Sequence, residues 1–246
     1  MRARLLAIVA LAALAEAATG ADAAPAHFCQ AAAADLKADP ALAEAAYAVF
    51  GHPGFADGDL CIAPLQRLHY ADADVLISGD HAPGEACDGC TIKLSATVLQ
   101  RAAGRLRQVW TFPAFAESAS KGGPGKITAV TLGADDGIAI ETAWATQGYS
   151  GRALELYAFR RGLASLTGKT PVPLAGDNSG AVTDADKAVS IDSSWAVRGD
   201  ALQVDYVVDK AGAKRRDHAE WKIGPSALTL TSGSVPAEMT AATGQK

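Results

Sequence analysis

Residues 91–98 read Thr91-Ile92-Lys93-Leu94-Ser95-Ala96-Thr97-Val98. Apolar and polar side chains alternate without a break, which is the period of a strand with one buried face. Such a strand needs a partner. Ala102-Ala103-Gly104 supplies a turn, after which Arg105 to Phe112 returns as the second arm of a hairpin. The pattern continues downstream. Lys126 to Leu132 and Ile138 to Thr146 flank Ala134-Asp135-Asp136-Gly137, whose Asp-Gly pair is a hairpin signal. Tyr149-Ser150-Gly151 turns the chain into Ala153 to Phe159. Four more runs follow, Ala188 to Val197, Ala201 to Val208, Lys214 to Ile223 and Ala227 to Thr231, divided by Arg198-Gly199-Asp200, Ala211-Gly212 and Gly224-Pro225. These short strands predict a mainly β chain, α+β at most, with antiparallel meanders forming a sandwich, a barrel or paired sheets.

Upstream the period changes, and a short N-terminal helical segment is predicted within residues 30–50. Ala31 to Lys37 is rich in helix formers, and Asp39-Pro40 marks a fresh start, with a capping carboxylate followed by a proline suited to the first turn. Leu42, Ala45, Ala46 and Val49 fall on one face, and Gly51 with His52-Pro53-Gly54 stops the helix. Pro113 to Gly125 reads as a loop rich in Gly, Pro and Ser.

The first residues read as an export signal. Arg2 and Arg4 precede the apolar stretch Leu5 to Ala15, and Ala21-Asp22-Ala23 is a small-x-small exit, with cleavage expected after Ala23. The expected organisation is therefore a signal peptide at 1–23 and a helical, cysteine-containing acidic segment at 24–90 packed on the β core. A β meander at 91–166, a loop or linker at 167–187, a second meander at 188–235 and a flexible tail at 236–246 complete it. Export makes the mature protein periplasmic or secreted, with no transmembrane segment, and the alanine-rich leader suggests a bacterial source.

Of the 246 residues 49% are hydrophobic, which excludes a mainly disordered chain. The formal net charge is -5, so no nucleic-acid partner is expected, since that would need a basic face. The acidity is local: residues 25–90 hold ten Asp or Glu against only Lys37 and Arg67.

All four cysteines, Cys29, Cys61, Cys87 and Cys90, lie in this N-terminal part. An even number in an exported protein favours disulfides. The favoured pairing is Cys29–Cys61, pinning the helical segment at both ends, with Cys87–Cys90 closing a tight Asp88-Gly89 turn. Glu85 and Asp88 work against a reactive thiolate at the second pair, and Thr91 follows where a c-type haem would need His. A metal reading rests on His27, His52, His69 and His81, which share residues 25–90 with the cysteines and carboxylates. Their spacing matches no zinc motif. Asp177-Asn178-Ser179-Gly180 with Asp184 and Asp186 hints at calcium, but Gly180 comes too early for an EF-hand and Ala188 stands where its glutamate belongs.

Catalytic motifs fail on spacing or context. Gly162 to Thr170 has one residue too many for a P-loop. Ser118-x-x-Lys121 is followed by Gly122-Gly123-Pro124-Gly125, which leaves no room for the required helix. Gly148-Tyr149-Ser150-Gly151 lacks the hydrolase elbow spacing. His218 with Asp217 or Glu220, and Asp135 with Asp136, are the remaining acid–base candidates. Glu141 and Glu155 are expected on a polar sheet face. Trp110, Trp144, Trp195 and Trp221 are expected in the core, with a sugar-stacking platform as the alternative.

No catalytic residue and no cofactor is assigned from the sequence. The first functional expectation is an exported, disulfide-stabilised, β-rich envelope module without enzyme activity, binding an unknown protein or small-molecule ligand. The second is a metal-binding or thiol-active protein centred on residues 25–90. A hydrolase with an unrecognised site is third.

Overall fold

The computed structural model describes residues 27–56, 61–80, 91–118, 123–160 and 165–244. The expected signal peptide, His81 and the Cys87–Cys90 pair lie outside the described residues. In chain order the elements are β1 (His27–Cys29), α1 (Ala32–Ala38), α2 (Pro40–Phe50), β2 (Phe55–Ala56), β3 (Cys61–His69), β4 (Asp74–Gly79), β5 (Ile92–Ala102) and β6 (Arg105–Ser118). Then come β7 (Lys126–Leu132), β8 (Asp135–Thr146), β9 (Tyr149–Arg160), β10 (Ser165–Gly168) and β11 (Val172–Asp177). A short 3-10 turn at Ala185–Lys187 leads to β12 (Val189–Arg198), β13 (Ala201–Lys210), β14 (Ala213–Ile223), β15 (Leu228–Gly233) and α3 (Met239–Thr243).

The strands form two sheets. The first runs β2-β1-β3-β4-β5-β6, and the second runs β15-β14-β13-β12-β11-β9-β8-β7, with β10 also paired to β9. All pairings are antiparallel except those of β1, which lies parallel to both β2 and β3. The mainly β, antiparallel fold class expected from residues 91–98 is the one observed.

Among the described residues three large hydrophobic cores separate the layers, beside a small fourth cluster at Cys29, Cys61 and Ala63. Ile92, Leu94, Ala96 and Val98 of β5 are buried against Ile138, Ile140 and Phe159 of the second sheet. This is the buried half of the alternation, and each of Ile92, Leu94 and Val98 contributes roughly 1.5–3 kcal/mol. The other face of the first sheet offers Leu76, Leu99 and Leu106 to Phe28, Leu36, Leu42, Ala45 and Ala46 of β1 and the helices. The third core fills the other side of the second sheet, with Leu154, Leu156, Ile191, Val204, Tyr206 and Ala242.

Helix α2 begins and ends as its sequence dictates. The Asp39 carboxylate accepts the backbone N–H of Ala41 and Leu42 at 2.9 and 3.0 Å, a cap that contributes about 1 kcal/mol. Gly51 closes it with φ of 73°. Arg67 of β3 locks the helix to the sheet by donating to the Ala41 carbonyl, to Glu44 and to Asp74. The I′-type reversals Ala103-Gly104 and Ala211-Gly212 carry positive φ at both residues, the twist that suits tight hairpins.

Several expectations need correction. Segment 24–90 is not chiefly helical, since β3 and β4 form the centre of the first sheet. Pro64 with Gln66 and Arg67 obscures the alternation of β3, where a register shift lies between Pro64 and Gln66. β4 is buried along its whole length, so it shows a continuous apolar run and not a period of two. β6 continues to Ser118 through the supposed Pro113–Gly125 loop, carrying Pro113 and positive-φ Ala114 at an irregularity opposite Leu94 and Ala96.

The first hairpin of the second sheet turns at Gly133–Ala134, with Leu132 opposite Asp135, and not at Asp136-Gly137. Gly137 is a glycine for another reason: a Cβ there would sit 2.6 Å from Leu132 and 2.7 Å from the Tyr157 carbonyl oxygen. Similarly, the next reversal is at Gln147-Gly148, ahead of Tyr149. The stretch 167–187 contains β11, whose Leu174 is fully buried; a β-bulge between Pro173 and Ala175 hides its period. The 236–246 tail carries α3, with Met239 and Ala242 in the third core. Five small helical residues gave too little periodicity to be seen.

Candidate functional site

A groove opens where α2 ends. The helix covers Leu76 and Leu99 and stops at Phe50, so the next rows of the first sheet have no helix above them among the described residues. Those rows change from leucine to hydroxyl. Ser78 lies opposite Ser95, and Thr97 lies opposite Thr111. Val49, Phe50 and Ile62 make an apolar wall, and Lys93 and Asp80 stand at the rim. The groove has a volume of about 470 Å³, in the range of small-molecule sites. Alternation places Lys93, Ser95 and Thr97 on one side of β5, so the polar half of residues 91–98 lines this groove.

The hydrogen bonding of the floor is incomplete. The Gln108 amide donates to Thr111 Oγ1 at 3.0 Å, and the Thr111 and Thr97 hydroxyls are 3.3 Å apart. Ser95 Oγ accepts the Ala114 N–H at 3.2 Å. Ser78 is 5% exposed and Thr97 2% exposed, and the Ser78 hydroxyl has no partner among the described residues. A buried hydroxyl without a partner costs free energy, typically about 1–3 kcal/mol, and natural structures keep few of them.

Below this groove the wall is stapled. Cys29 and Cys61 form a disulfide with a Cα–Cα distance of 4.8 Å and a sequence separation of 32. The bridge links β1 to β3 on either side of the helical unit, next to Ile62. A second anchor is Asp74, buried and bound to Arg67 at 2.7 Å and His69 at 2.8 Å. Burial opposes ionisation of Asp74, but the hydrogen bonds from Arg67 and His69 outweigh it and hold the carboxyl below its ordinary range.

Other residues singled out by sequence are not gathered into a site. His27 is exposed, His52 stacks on Tyr47 at 4.2 Å, and His69 serves Asp74. Among the described residues no group of three or more His, Cys, Asp or Glu has metal-site geometry. Asn178 bridges its loop, donating to the Lys187 and Ala241 carbonyls and accepting the Val189 N–H. Asp177 and Asp184 accept backbone N–H groups two residues on, so these polar groups serve turns. Ser118 is buried and donates to the Gly123 carbonyl. Lys169 lies on the far side, donating to the Pro225 carbonyl; burial, then the neighbouring Arg160 charge, pulls its pKa down.

The acid–base candidates are placed differently from expectation. His218 pairs with Asp205 at 2.8 Å, not with Asp217, which receives Arg215, or Glu220, which receives Gln203. Ser194, Asp205 and His218 form one cross-strand row, with the carboxylate in the middle. A nucleophilic triad needs the imidazole between serine and acid, so the order is wrong for that chemistry. The pair is also open, with 73% of the Asp205 side chain and 44% of the His218 side chain exposed. Asp135 pairs with Arg160, and Asp136 is pushed up by burial and then by Asp72.

Glu141 is not on an open face. It is largely covered and held by Lys126 and Arg152, while Glu155 accepts the Tyr157 hydroxyl. Trp221 is in the third core, and Trp195 packs against it. Trp144 lies over Gly151, where a Cβ would meet its ring at 2.6 Å. Trp110, on the edge strand β6, is exposed, contrary to the core expectation. The groove itself was missed. Its signal was the hydroxyl run Ser95 and Thr97, which reads as a solvent face until α2 is known to lie beside it.

A β-rich module with a half-covered, hydroxyl-floored groove is the class that fold and site define. In comparison with known proteins the chain matches no family model, no curated protein and no solved structure.

Proposed function

We propose that this protein is an exported, disulfide-stabilised binding module without enzyme activity, and that it holds a small molecule in the groove between α2 and β4–β6. The observation that carries the reading is the buried Ser78 hydroxyl beneath an apolar wall, which has no partner among the described residues and so carries a folding cost. Export rests on the Arg2/Arg4, Leu5–Ala15 and Ala21–Ala23 pattern, with the Cys29–Cys61 bridge as support. Cys87–Cys90 is proposed as the second bridge. A role centred on thiol or metal chemistry draws less support: Cys29 and Cys61 are spent on a buried disulfide, and the described His27, His52 and His69 sit in separate places.

The test of the groove is a fluorescence titration with anilinonaphthalene sulfonate on the full chain and on Ser95→Trp, which fills the space. Saturable binding to the parent, lost in a variant that still melts cooperatively, supports the reading. Equal binding by both proteins rejects it. Export is tested by intact mass of cell-envelope material, and a product retaining Met1 rejects it.

A further inference from the structure

The floor of the groove has a count of donors and acceptors that narrows the ligand. This step rests on the reading of the groove as a binding site. Each serine or threonine hydroxyl has one hydrogen to donate and two lone pairs. Thr111 Oγ1 accepts from Gln108, and Thr97 and Thr111 share a single hydrogen bond. That bond uses one of their two hydroxyl hydrogens, so one is left over. Ser95 Oγ accepts from the Ala114 N–H, and its own hydrogen has no acceptor among the described residues. The Ser78 hydroxyl has no hydrogen-bond partner there.

Three hydroxyl hydrogens on neighbouring rows therefore lack acceptors among the described residues. Unused lone pairs are common in folded proteins, whereas a buried donor without an acceptor is rare. An acceptor placed in the groove would meet the buried Ser78 hydroxyl together with the hydrogens of half-buried Ser95 and of the Thr97/Thr111 pair. Lys93 adds a cation at the rim that makes no ion pair among the described residues. The Asp80 carboxylate shares the rim, where it accepts the Lys93 backbone N–H at 3.1 Å. The wall opposite the floor, Val49, Phe50 and Ile62, offers only apolar surface.

We infer that the groove takes an amphipathic carboxylic acid, with its carboxylate on the Ser78, Ser95 and Thr97/Thr111 hydroxyls and its hydrocarbon body against Val49, Phe50 and Ile62. A carboxylate matches the count, because its two oxygens offer about four acceptor sites in one group. Hydrogen bonds to a charged acceptor are also the stronger kind. No covalent step is involved.

The test uses three probes of one chain length, octanoate, octan-2-one and octylammonium, with amide chemical shifts of the full chain as the readout. Octanoate should shift Ser78, Ser95, Thr97 and Val49 saturably, octan-2-one should bind more weakly at the same amides, and octylammonium should not move them. Ser78→Ala and Thr97→Val should each weaken octanoate by about tenfold, and Lys93→Gln by a smaller factor. Ser78→Ala removes a group that no described residue bonds, so it keeps the fold and the test remains decisive if Thr97→Val does not. Octylammonium binding as tightly as octanoate at these amides, or octanoate unaffected by Ser78→Ala, overturns the carboxylate assignment but leaves the groove reading standing. If none of the three probes moves these amides, and anilinonaphthalene sulfonate binds Ser95→Trp as it binds the parent, the groove reading itself fails.

Discussion

Removing the Cys29–Cys61 bridge should cost the fold more than any single side-chain contact in the helical layer. The bridge spans 32 residues of chain, and the chain-entropy relation for that loop gives about 3.7 kcal/mol at 25 °C. Both cysteines are buried against Ala63 and Leu65, so a double Cys29→Ala/Cys61→Ala variant also loses sulfur packing and should not fall below that figure. In a chain of this size each kcal/mol shifts the midpoint by about 2–4 °C, which predicts a loss of roughly 7–15 °C. The assay is thermal unfolding followed by circular dichroism, beside a Cys87→Ala/Cys90→Ala control. The control should lose no more than about 2 kcal/mol, because its loop is so short. A Cys29→Ala/Cys61→Ala midpoint within about 2 °C of the parent would refute the reasoning. It would mean that Phe28, Leu36 and Leu42 hold the helical layer without help.

Asp74→Asn should destabilise the protein at neutral pH by about 2–4 kcal/mol, since Arg67 is left half-buried without its main partner. The folded-state pKa of Asp74 lies below its ordinary 3.8, so its contribution is full above that value and disappears as pH falls through the folded pKa. Denaturant titrations should therefore show the gap between parent and variant closing below about pH 4. Ser78→Ala should leave the melting temperature equal or higher, because it removes a buried hydroxyl with no partner among the described residues; a drop of several degrees would show that the hydroxyl has a structural partner. Gly233→Ala should loosen β15: φ is +67° there, and a Cβ would lie 1.9 Å from the His218 carbonyl oxygen. Faster amide exchange at Leu228 to Ser232, with β13 unchanged, is the expected result.

Much of the fold was readable because strands such as β5, β12 and β13 alternate buried apolar with more exposed polar residues and so advertise a period of two, while β8 and β9 were bounded by clear turn residues. What escaped reading did so for a few physical reasons. β4 is covered on both sides, so Val75-Leu76-Ile77 alternates with nothing. β3 and β11 carry Pro64 and Pro173 next to register shifts, which break the period where it would be counted. Turn positions were misjudged at Asp136-Gly137 because Gly133 satisfies the same backbone demand three residues earlier. The site was harder still. Ser95 and Thr97 gave the right polar spacing, but whether that face meets water or a cleft depends on where α2 stops, a fact of tertiary structure. Ser78 had no local signature, being one small polar residue at the end of an apolar run.

The central strands of the larger sheet serve two cores at once. Ile138, Ile140, Tyr157 and Phe159 face the smaller sheet, while Ala139, Leu154, Leu156 and Ala158 face the third core. A protein engineer cutting the chain near residue 167 would leave β7–β9 with one of its two apolar faces stripped, and β12–β15 without the wall they close against. Neither fragment should be recoverable alone in monomeric form. Mixed together they are natural candidates for split-protein reassembly, with β9 as the shared seam.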